Sequence, residues 1–120
     1  EAWDELGIKD SYARVDVEGN DSVGGFIGHF THNPDIISIN RSYSAGNVTG
    51  NSDVGGFIGS ASATPNVETS YWDVNASGQA TSVEGTGKTT SEMYQQATYT
   101  GWDFSNVWQI DEGNDYPELR

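Results

Sequence analysis

The six-residue stretch Val-Gly-Gly-Phe-Ile-Gly occurs twice in this chain, at positions 23–28 and again at 54–59. The two copies lie 31 residues apart, and the longer segments 11–28 and 42–59 are identical at eleven of eighteen positions. A unit this small cannot bury an apolar face unless a neighbour stacks on it. The repeat therefore predicts one supersecondary unit that is used twice, with the second copy stacked on the first.

Stacking in register would place equivalent side chains next to each other on parallel strands spaced about 4.8 Å apart. Asn20 would then lie beside Asn51. The predicted repeat core consists of four side chains from each copy: Tyr12, Val17, Val23, Phe26, Tyr43, Val48, Val54 and Phe57.

The strand that carries the double glycine has two possible conformations. In a regular strand Val23 and Ile27 point to one face and Phe26 to the other, because side chains alternate. Either both faces are covered, or the Gly24-Gly25 pair forms a bend or bulge that redirects Phe26. The sequence leaves both alternatives open.

The C-terminal half departs from the repeat. A third start at Ser70-Tyr71 has no glycine strand after it, and residues 76–90 are rich in Gly and small polar side chains, which is typical of an external loop. Thr89 and Glu92 have the spacing of a capping box, so a short helix is predicted there. We expect Trp102 and Trp108 to close the end of the core.

These segments resemble the GLUG-motif repeats of bacterial and archaeal surface proteins, named for the form Gly-Gly-Leu-Val-Gly. The matching residues are 43–50 followed by 54–59, with a weaker copy from Tyr12 and a closing segment at 70–73, 85–90, 102–104 and 108–110. Phe26 and Phe57 stand where the family usually has Leu. The resemblance spans residues 8 to 120.

The resemblance implies an all-β fold, a short right-handed parallel β-helix or β-solenoid with a short C-terminal helix and an aromatic cap. The expected boundaries within a single domain, 1–120, are repeats of about 31 residues at 8–37 and 38–66, a divergent third coil at 67–88, and a cap at 89–120. Proteins with this motif are secreted, cell-wall or adhesin-like, or form non-catalytic parts of large surface peptidases. An extracellular or cell-surface location is therefore expected.

The net charge of the chain argues against partners that are themselves strongly negative. The chain has 18 acidic and 5 basic side chains and a formal net charge of -13, so nucleic acid and anionic membrane surfaces are not expected partners. Such a surface suits either a halophilic protein in high salt or an ordinary acidic extracellular domain. There is no cysteine and no apolar run long enough for a membrane span. Because the chain starts at Glu1 without Met or a signal peptide, we expect a piece of a longer protein.

The sequence contains few side-chain groups whose spacing would suit a metal site, a phosphate-binding loop or a catalytic site. His29 and His32, with Asp35, do not complete a metal-ligand set, and the oxygens of Asp111, Glu112, Asn114 and Asp115 do not have the spacing of a known calcium loop. The stretch Gly85 to Thr90 resembles a phosphate loop only superficially. No nucleophile-base-acid arrangement presents itself. We therefore expect no catalytic residue, no cofactor and no metal.

Two kinds of surface site remain. Four Asn-x-Ser/Thr sequons are candidate glycosylation sites, which would make the chain a glycoprotein: Asn20, Asn40, Asn47 and Asn75. Trp72 is the candidate for stacking on a sugar ring, although most of the Trp residues are expected to be core.

Three functions remain open. The first is a non-catalytic structural or adhesive segment of a prokaryotic surface protein. The second is a carbohydrate-binding module attached to a surface enzyme, which requires exposed aromatic rings. The third is a self-assembling surface-filament subunit. The expected partners are other domains of a longer parent chain, surface glycans or neighbouring surface proteins.

Overall fold

The computed structural model describes residues 6–31 and 37–120. The strands in these ranges are short, and helical turns occur only after the tenth strand. The strands are β1 Leu6–Ala13, β2 Val17–Glu18, β3 Asp21–Gly24, β4 Ile27–Phe30, β5 Ile37–Ser44, β6 Val48–Thr49, β7 Ser52–Gly55, β8 Ile58–Ala61, β9 Asn66–Glu68, β10 Tyr71–Asp73, β11 Thr86–Lys88, β12 Trp108–Gln109 and β13 Glu118–Leu119. The helices are α1 Val74–Ser77, α2 Thr90–Met93 and a 3-10 turn at Gln96–Thr98.

The register predicted from the repeat is confirmed. Each of the first four strands pairs in parallel with its equivalent in the second copy, β1 with β5, β2 with β6, β3 with β7 and β4 with β8. Val17 pairs with Val48, and the rings of Phe26 and Phe57 stack with centroids 4.7 Å apart. Identical residues lie side by side because the offset of the pairing equals the offset of the repeat.

The structure shows the second of the two conformations considered for the strand with the double glycine, a bend at Gly24-Gly25. β3 ends at Gly24 and β4 begins at Ile27, so the chain turns between them in the first copy, as it does after Gly55 in the second. A Cβ atom on Gly24 would lie 2.0 Å from the Ile27 carbonyl oxygen, and one on Gly55 would lie 2.0 Å from that of Ile58. Both positions therefore require glycine, because the backbone passes too close for any side chain.

The sheet formed by β1, β5 and β10 is covered on both faces. Neighbouring residues of β10 point in opposite directions, so that Tyr71 joins one hydrophobic cluster and Trp72 the other. The inner cluster is built from Phe30, Ile39, Phe57, Ile58 and Trp72. The outer cluster is built from Tyr43, Ala45, Tyr71, Met93, Tyr99, Trp102 and Trp108.

The outer cluster corrects the expected place of the C-terminal aromatics. The Trp108 ring lies 6.0 Å from Tyr12 and 6.1 Å from Tyr43, and the Trp102 ring lies 6.1 Å from Tyr71. These three tyrosines come from three successive strands of one sheet. The C-terminal segment thus packs along the side of that sheet, and the prediction that it closes the end of the core was wrong.

Residues 76–90 are also placed differently from the predicted external loop. Thr81 accepts a hydrogen bond from the backbone N–H of Gly56 at 3.0 Å, and Val83 donates one to the Ile58 carbonyl at 3.1 Å. The Ser82 hydroxyl accepts from the Ile58 N–H at 2.7 Å. This segment therefore covers the edge of the second copy that faces away from the first.

The prediction of a right-handed parallel β-helix or β-solenoid was wrong. In the described ranges the strands form one five-stranded sheet and four two-stranded sheets, and the β12–β13 pair is antiparallel. Only two copies of the repeat exist, so β2, β3 and β4 each find one partner, and the sheets that they form have two strands each. The result is a mostly β chain of small sheets flanked by an irregular C-terminal segment.

The short helix after Thr89 is confirmed with its capping box. The Thr89 hydroxyl accepts from the Glu92 N–H at 3.1 Å, and the Glu92 carboxylate accepts from the Thr89 N–H at 2.9 Å. The exchange satisfies N–H groups that a helix start leaves without partners. These hydrogen bonds hold the pKa of Glu92 below its usual value.

Candidate functional site

A ladder of polar side chains lies on the turn between the second and third strands of each copy. The Asn51 side-chain amide donates to the Asn20 side-chain oxygen at 3.0 Å, and the Ser52 hydroxyl donates to Asp21. Glu18, Gly19, Asn20, Thr49, Gly50 and Asn51 line a shallow depression of about 350 Å³. This surface offers amide, hydroxyl and carboxylate groups to solvent. Because the groups already bond one another, the ladder aligns the two copies.

Asp73 is the most enclosed charged side chain in the described part of the chain. It is fully buried, directly before α1. One carboxylate oxygen accepts from the backbone N–H groups of Asn75 and Ala76, both at 2.9 Å. The other accepts from the hydroxyls of Thr90 at 2.6 Å and Tyr116 at 2.5 Å. Asp73 therefore joins α1, α2 and the C-terminal segment.

The hydrogen bonds of Asp73 hold three parts of the fold together. Burial, together with the hydrogen bond to Asp73, raises the pKa of Tyr116 above its usual value. Both carboxylate oxygens are occupied by internal donors, which leaves them no free lone pairs directed at solvent. Asp is one of the residue types preferred at the N-cap, directly before a helix, and this preference is the signal that could have identified Asp73 from the sequence.

A second charged group links the first copy to the outer cluster. The Arg41 guanidinium donates to both carboxylate oxygens of Asp10, at 2.9 and 3.3 Å, and the Trp108 indole N–H donates to Asp10 at 3.3 Å. The bond to Arg41 holds the pKa of Asp10 below its usual value. Asp10 and Arg41 occupy equivalent repeat positions, so this contact also joins the two copies.

The candidate ligand groups are engaged in internal contacts. The His29 ring nitrogen Nδ1 shares a hydrogen bond with the Ser60 hydroxyl at 2.6 Å, while His32 and Asp35 lie outside the described residues. In the tail turn, the Glu112 carboxylate accepts from the Gln96 N–H at 2.8 Å, and Asp115 pairs with Arg14 at 3.0 Å. Across residues 6–31 and 37–120, no group of three or more His, Cys, Asp or Glu side chains has a geometry that could hold a metal.

The indole of Trp72 does not offer the open face that sugar stacking requires. Trp72 is 5% exposed, and its N–H donates to the Gln79 carbonyl at 2.8 Å. Trp102 and Trp108 are also buried, and Trp3 lies outside the described residues. The structure thus corrects the prediction of a stacking platform at Trp72 and assigns that ring to the inner hydrophobic cluster.

The four sequons differ in their surroundings. Asn47 is exposed in the turn that precedes β6. The side-chain oxygen of Asn20 accepts from Asn51, and that of Asn75 accepts from the Thr90 N–H at 3.0 Å. Asn40 is half-buried within β5. Asn20 and Asn75 are exposed as well, so burial separates only Asn40 from the other three.

Comparison with known proteins gives one partial match. The chain is 40% identical over 53 residues to a protein of Evansella cellulosilytica that is named as a Gly-rich membrane protein. The match covers 42% of this chain and 6% of that relative's length. No family model matches the chain. No solved structure matches it either. Within the described ranges, none of the helices is long and apolar enough to cross a membrane.

Proposed function

We propose that this chain is a non-catalytic structural segment of a larger secreted or cell-surface protein. The observation that carries the proposal is the register of the two copies, in which Tyr12, Val17, Asn20 and Phe26 each lie beside their equivalent. Two charged or titratable side chains of the first copy bond to the second copy, Asp10 to Arg41 and His29 to Ser60. The buried Asp73 is bonded internally as well, to Thr90 and Tyr116. A segment whose polar groups hold its own copies together is suited to spacing or displaying other domains.

The surface location rests on charge and on resemblance. A net charge of -13 with five basic residues suits an extracellular environment or high salt, where counterions screen self-repulsion. The relative named as a membrane protein shares only a short segment with this chain, as expected if the unit is one part of a much longer surface protein. The likeness to GLUG-motif repeats points the same way.

The carbohydrate-binding alternative is weaker. Modules that bind sugars present flat aromatic rings to solvent, often in a groove. The three described Trp side chains are at most 6% exposed. Tyr12, at 37%, is the most exposed aromatic side chain of the described residues, and its ring is stacked on that of Tyr43. Adhesion through the polar ladder stays compatible with the proposal, since amides and carboxylates can contact a partner protein or glycan.

A glycan-array screen of the folded chain distinguishes the two functions. We expect no saturable binding to any sugar class, because Trp72, Trp102 and Trp108 are buried. Circular dichroism in the same buffer shows that the sample is folded. Saturable binding that survives substitution of Trp72 but is lost in an Asn20→Ala/Asn51→Ala variant would assign recognition to the ladder. That outcome would replace the structural proposal with a binding function.

A further inference from the structure

A serine hydroxyl and a histidine ring face each other where the two copies meet. β4 and β8 pair in parallel, with His29 opposite Ser60. The Ser60 Oγ lies 2.6 Å from the His29 Nδ1 and 2.8 Å from the Ser22 Oγ. We call these three residues the Ser–His cluster. The cluster holds a hydroxyl within hydrogen-bond reach of a nitrogen base, which is the arrangement that activates serine as a nucleophile.

The Ser–His cluster exists because the two copies differ at the positions that flank the repeated six residues. The stretch is followed by His29 in the first copy and by Ser60 in the second, and it is preceded by Ser22 in the first. The bend after Gly24 brings the two ends of the stretch together, so that a Cβ atom on Gly28 would lie 2.7 Å from the Ser22 carbonyl oxygen. Unlike side chains from the two copies thereby become neighbours.

The hydrogen bonds of the cluster suit the removal of a proton from Ser60. In a neutral imidazole one ring nitrogen carries a proton and the other accepts a hydrogen bond. An Nδ1 without a proton accepts from the Ser60 hydroxyl, whose oxygen in turn accepts from the Ser22 hydroxyl. When the proton moves from Ser60 to His29, the Ser22 hydroxyl still donates to the Ser60 oxygen and stabilises the negative charge that develops there.

The Ser–His cluster is reached from solvent. His29 is exposed, and Ser60 is half-buried. The polar ladder contains a second pair of the same kind for comparison, in which the hydroxyl of the exposed Ser52 donates to the carboxylate of Asp21. An imidazole is a stronger base than a carboxylate. Proton removal is therefore easier from Ser60 than from Ser52.

We propose that Ser60 is a site of covalent modification, which accepts an acyl group from an activated ester with His29 as the general base. The Ser60 Oγ forms a bond to the acyl carbon while the His29 Nδ1 takes the hydroxyl proton. The bond between the acyl carbon and the leaving group breaks, and the leaving group departs with the proton that His29 returns. No oxidation or reduction takes place, and no cofactor is needed.

The size of the general-base effect sets the class of acyl donor. A positioned general base contributes about 10²–10⁴-fold to a rate, which is less than most enzymes achieve with all their groups together. The donor must therefore supply a good leaving group itself, as thioesters and aryl esters do. For the same reason the product, an ordinary serine ester, hydrolyses slowly. The modification is stoichiometric, and it leaves the proposed structural role unchanged.

Acetylation by p-nitrophenyl acetate, an aryl ester, tests the proposal. Mass spectrometry of peptides from the treated chain follows acetylation at each residue and separates the serine ester from the acetylated amines of Lys9 and Lys88. We expect Ser60 to be acetylated faster than Ser52. The variant His29→Gln removes the base and should slow acetylation of Ser60 about 100-fold or more.

The matched control is Asp21→Asn, which removes the carboxylate beside Ser52 in the same ladder and should leave the rate at Ser60 unchanged. Circular dichroism shows that each variant is folded. The proposal is overturned if Ser60 reacts no faster than Ser52, or if His29→Gln leaves the rate at Ser60 unchanged. Neither result bears on the glycan screen, so the modification site and the structural function can fail separately.

Discussion

Truncation of Phe57 to Ala is expected to lower the free energy of unfolding by about 3–5 kcal/mol, the range found for buried Phe side chains. Phe57 is fully buried between Phe26, the segment near Gly85 and the rest of the inner cluster. Its removal leaves a cavity that the neighbouring strands cannot fill, because their backbones are held by the parallel pairing. Denaturant unfolding measures the effect, which would be a large part of the stability of a domain this size.

The first repeat supplies the matched control. Phe26 has the same neighbours in sequence and stacks on the same ring, yet it is only partly buried. Because less of its surface leaves water, Phe26→Ala should cost clearly less than Phe57→Ala when both are measured in dilute solution at low salt. Equal losses would show that the two copies are covered to the same extent, which contradicts the asymmetry of the stack.

Replacement of Asp73 by Ala is expected to cost at least about 3 kcal/mol. Two backbone N–H groups and two hydroxyls would lose their acceptor, and each unsatisfied buried polar group costs about 1–3 kcal/mol. Because Asp73 joins α1, α2 and Tyr116, the C-terminal segment should also lose order. Thermal unfolding followed by near-ultraviolet circular dichroism detects both effects, since the outer cluster is rich in Trp and Tyr.

Two further variants separate burial from hydrogen bonding. Asp103 accepts from the N–H groups of Ser105 and Asn106 at 2.9 and 3.0 Å in the same local geometry, but it is exposed. Asp103→Ala should therefore cost no more than about 1 kcal/mol, as typical for an exposed cap. Asp73→Asn keeps one oxygen acceptor and should fall between the two alanine variants. If Asp73→Ala is as mild as Asp103→Ala, the buried carboxylate does not join these elements.

The pairing of the two copies could be predicted from the sequence, whereas the larger architecture could not. A repeat with a constant offset of 31 residues fixes which residues become neighbours, so Val17 beside Val48 and Asn20 beside Asn51 followed from the offset alone. The bend after Gly24 stayed open, because sequence parity does not show how close the Ile27 carbonyl approaches. The expected β-helix was wrong because two copies provide most strands with a single partner.

The position of the C-terminal segment was the part of the fold that could be predicted least well from the sequence. Trp102 and Trp108 were correctly expected to be core, but nothing in their spacing indicated the side of a sheet instead of its end. Their position depends on long-range contacts such as that of Trp108 with Asp10. Trp72 was misplaced for a related reason. Its burial depends on the absence of a side chain at Gly56, where a Cβ would lie 2.1 Å from the indole.

The measurement that tests the account most directly is disulfide formation between paired cysteines in this cysteine-free chain. In Asn20→Cys/Asn51→Cys, the cysteines replace two residues that lie side by side in adjacent copies and are hydrogen-bonded through their side-chain amides. The spacing of about 4.8 Å between neighbouring strands lies within the Cα–Cα range of about 4.4–6.8 Å for disulfides. We expect rapid intramolecular oxidation in dilute solution, seen as a loss of free thiol without a gain in mass. Asp16→Cys/Asn51→Cys, which is out of register, should stay reduced, because Asp16 contacts Asn47 instead. Oxidation of the second pair in preference to the first would contradict the in-register stacking on which the proposed structural role rests.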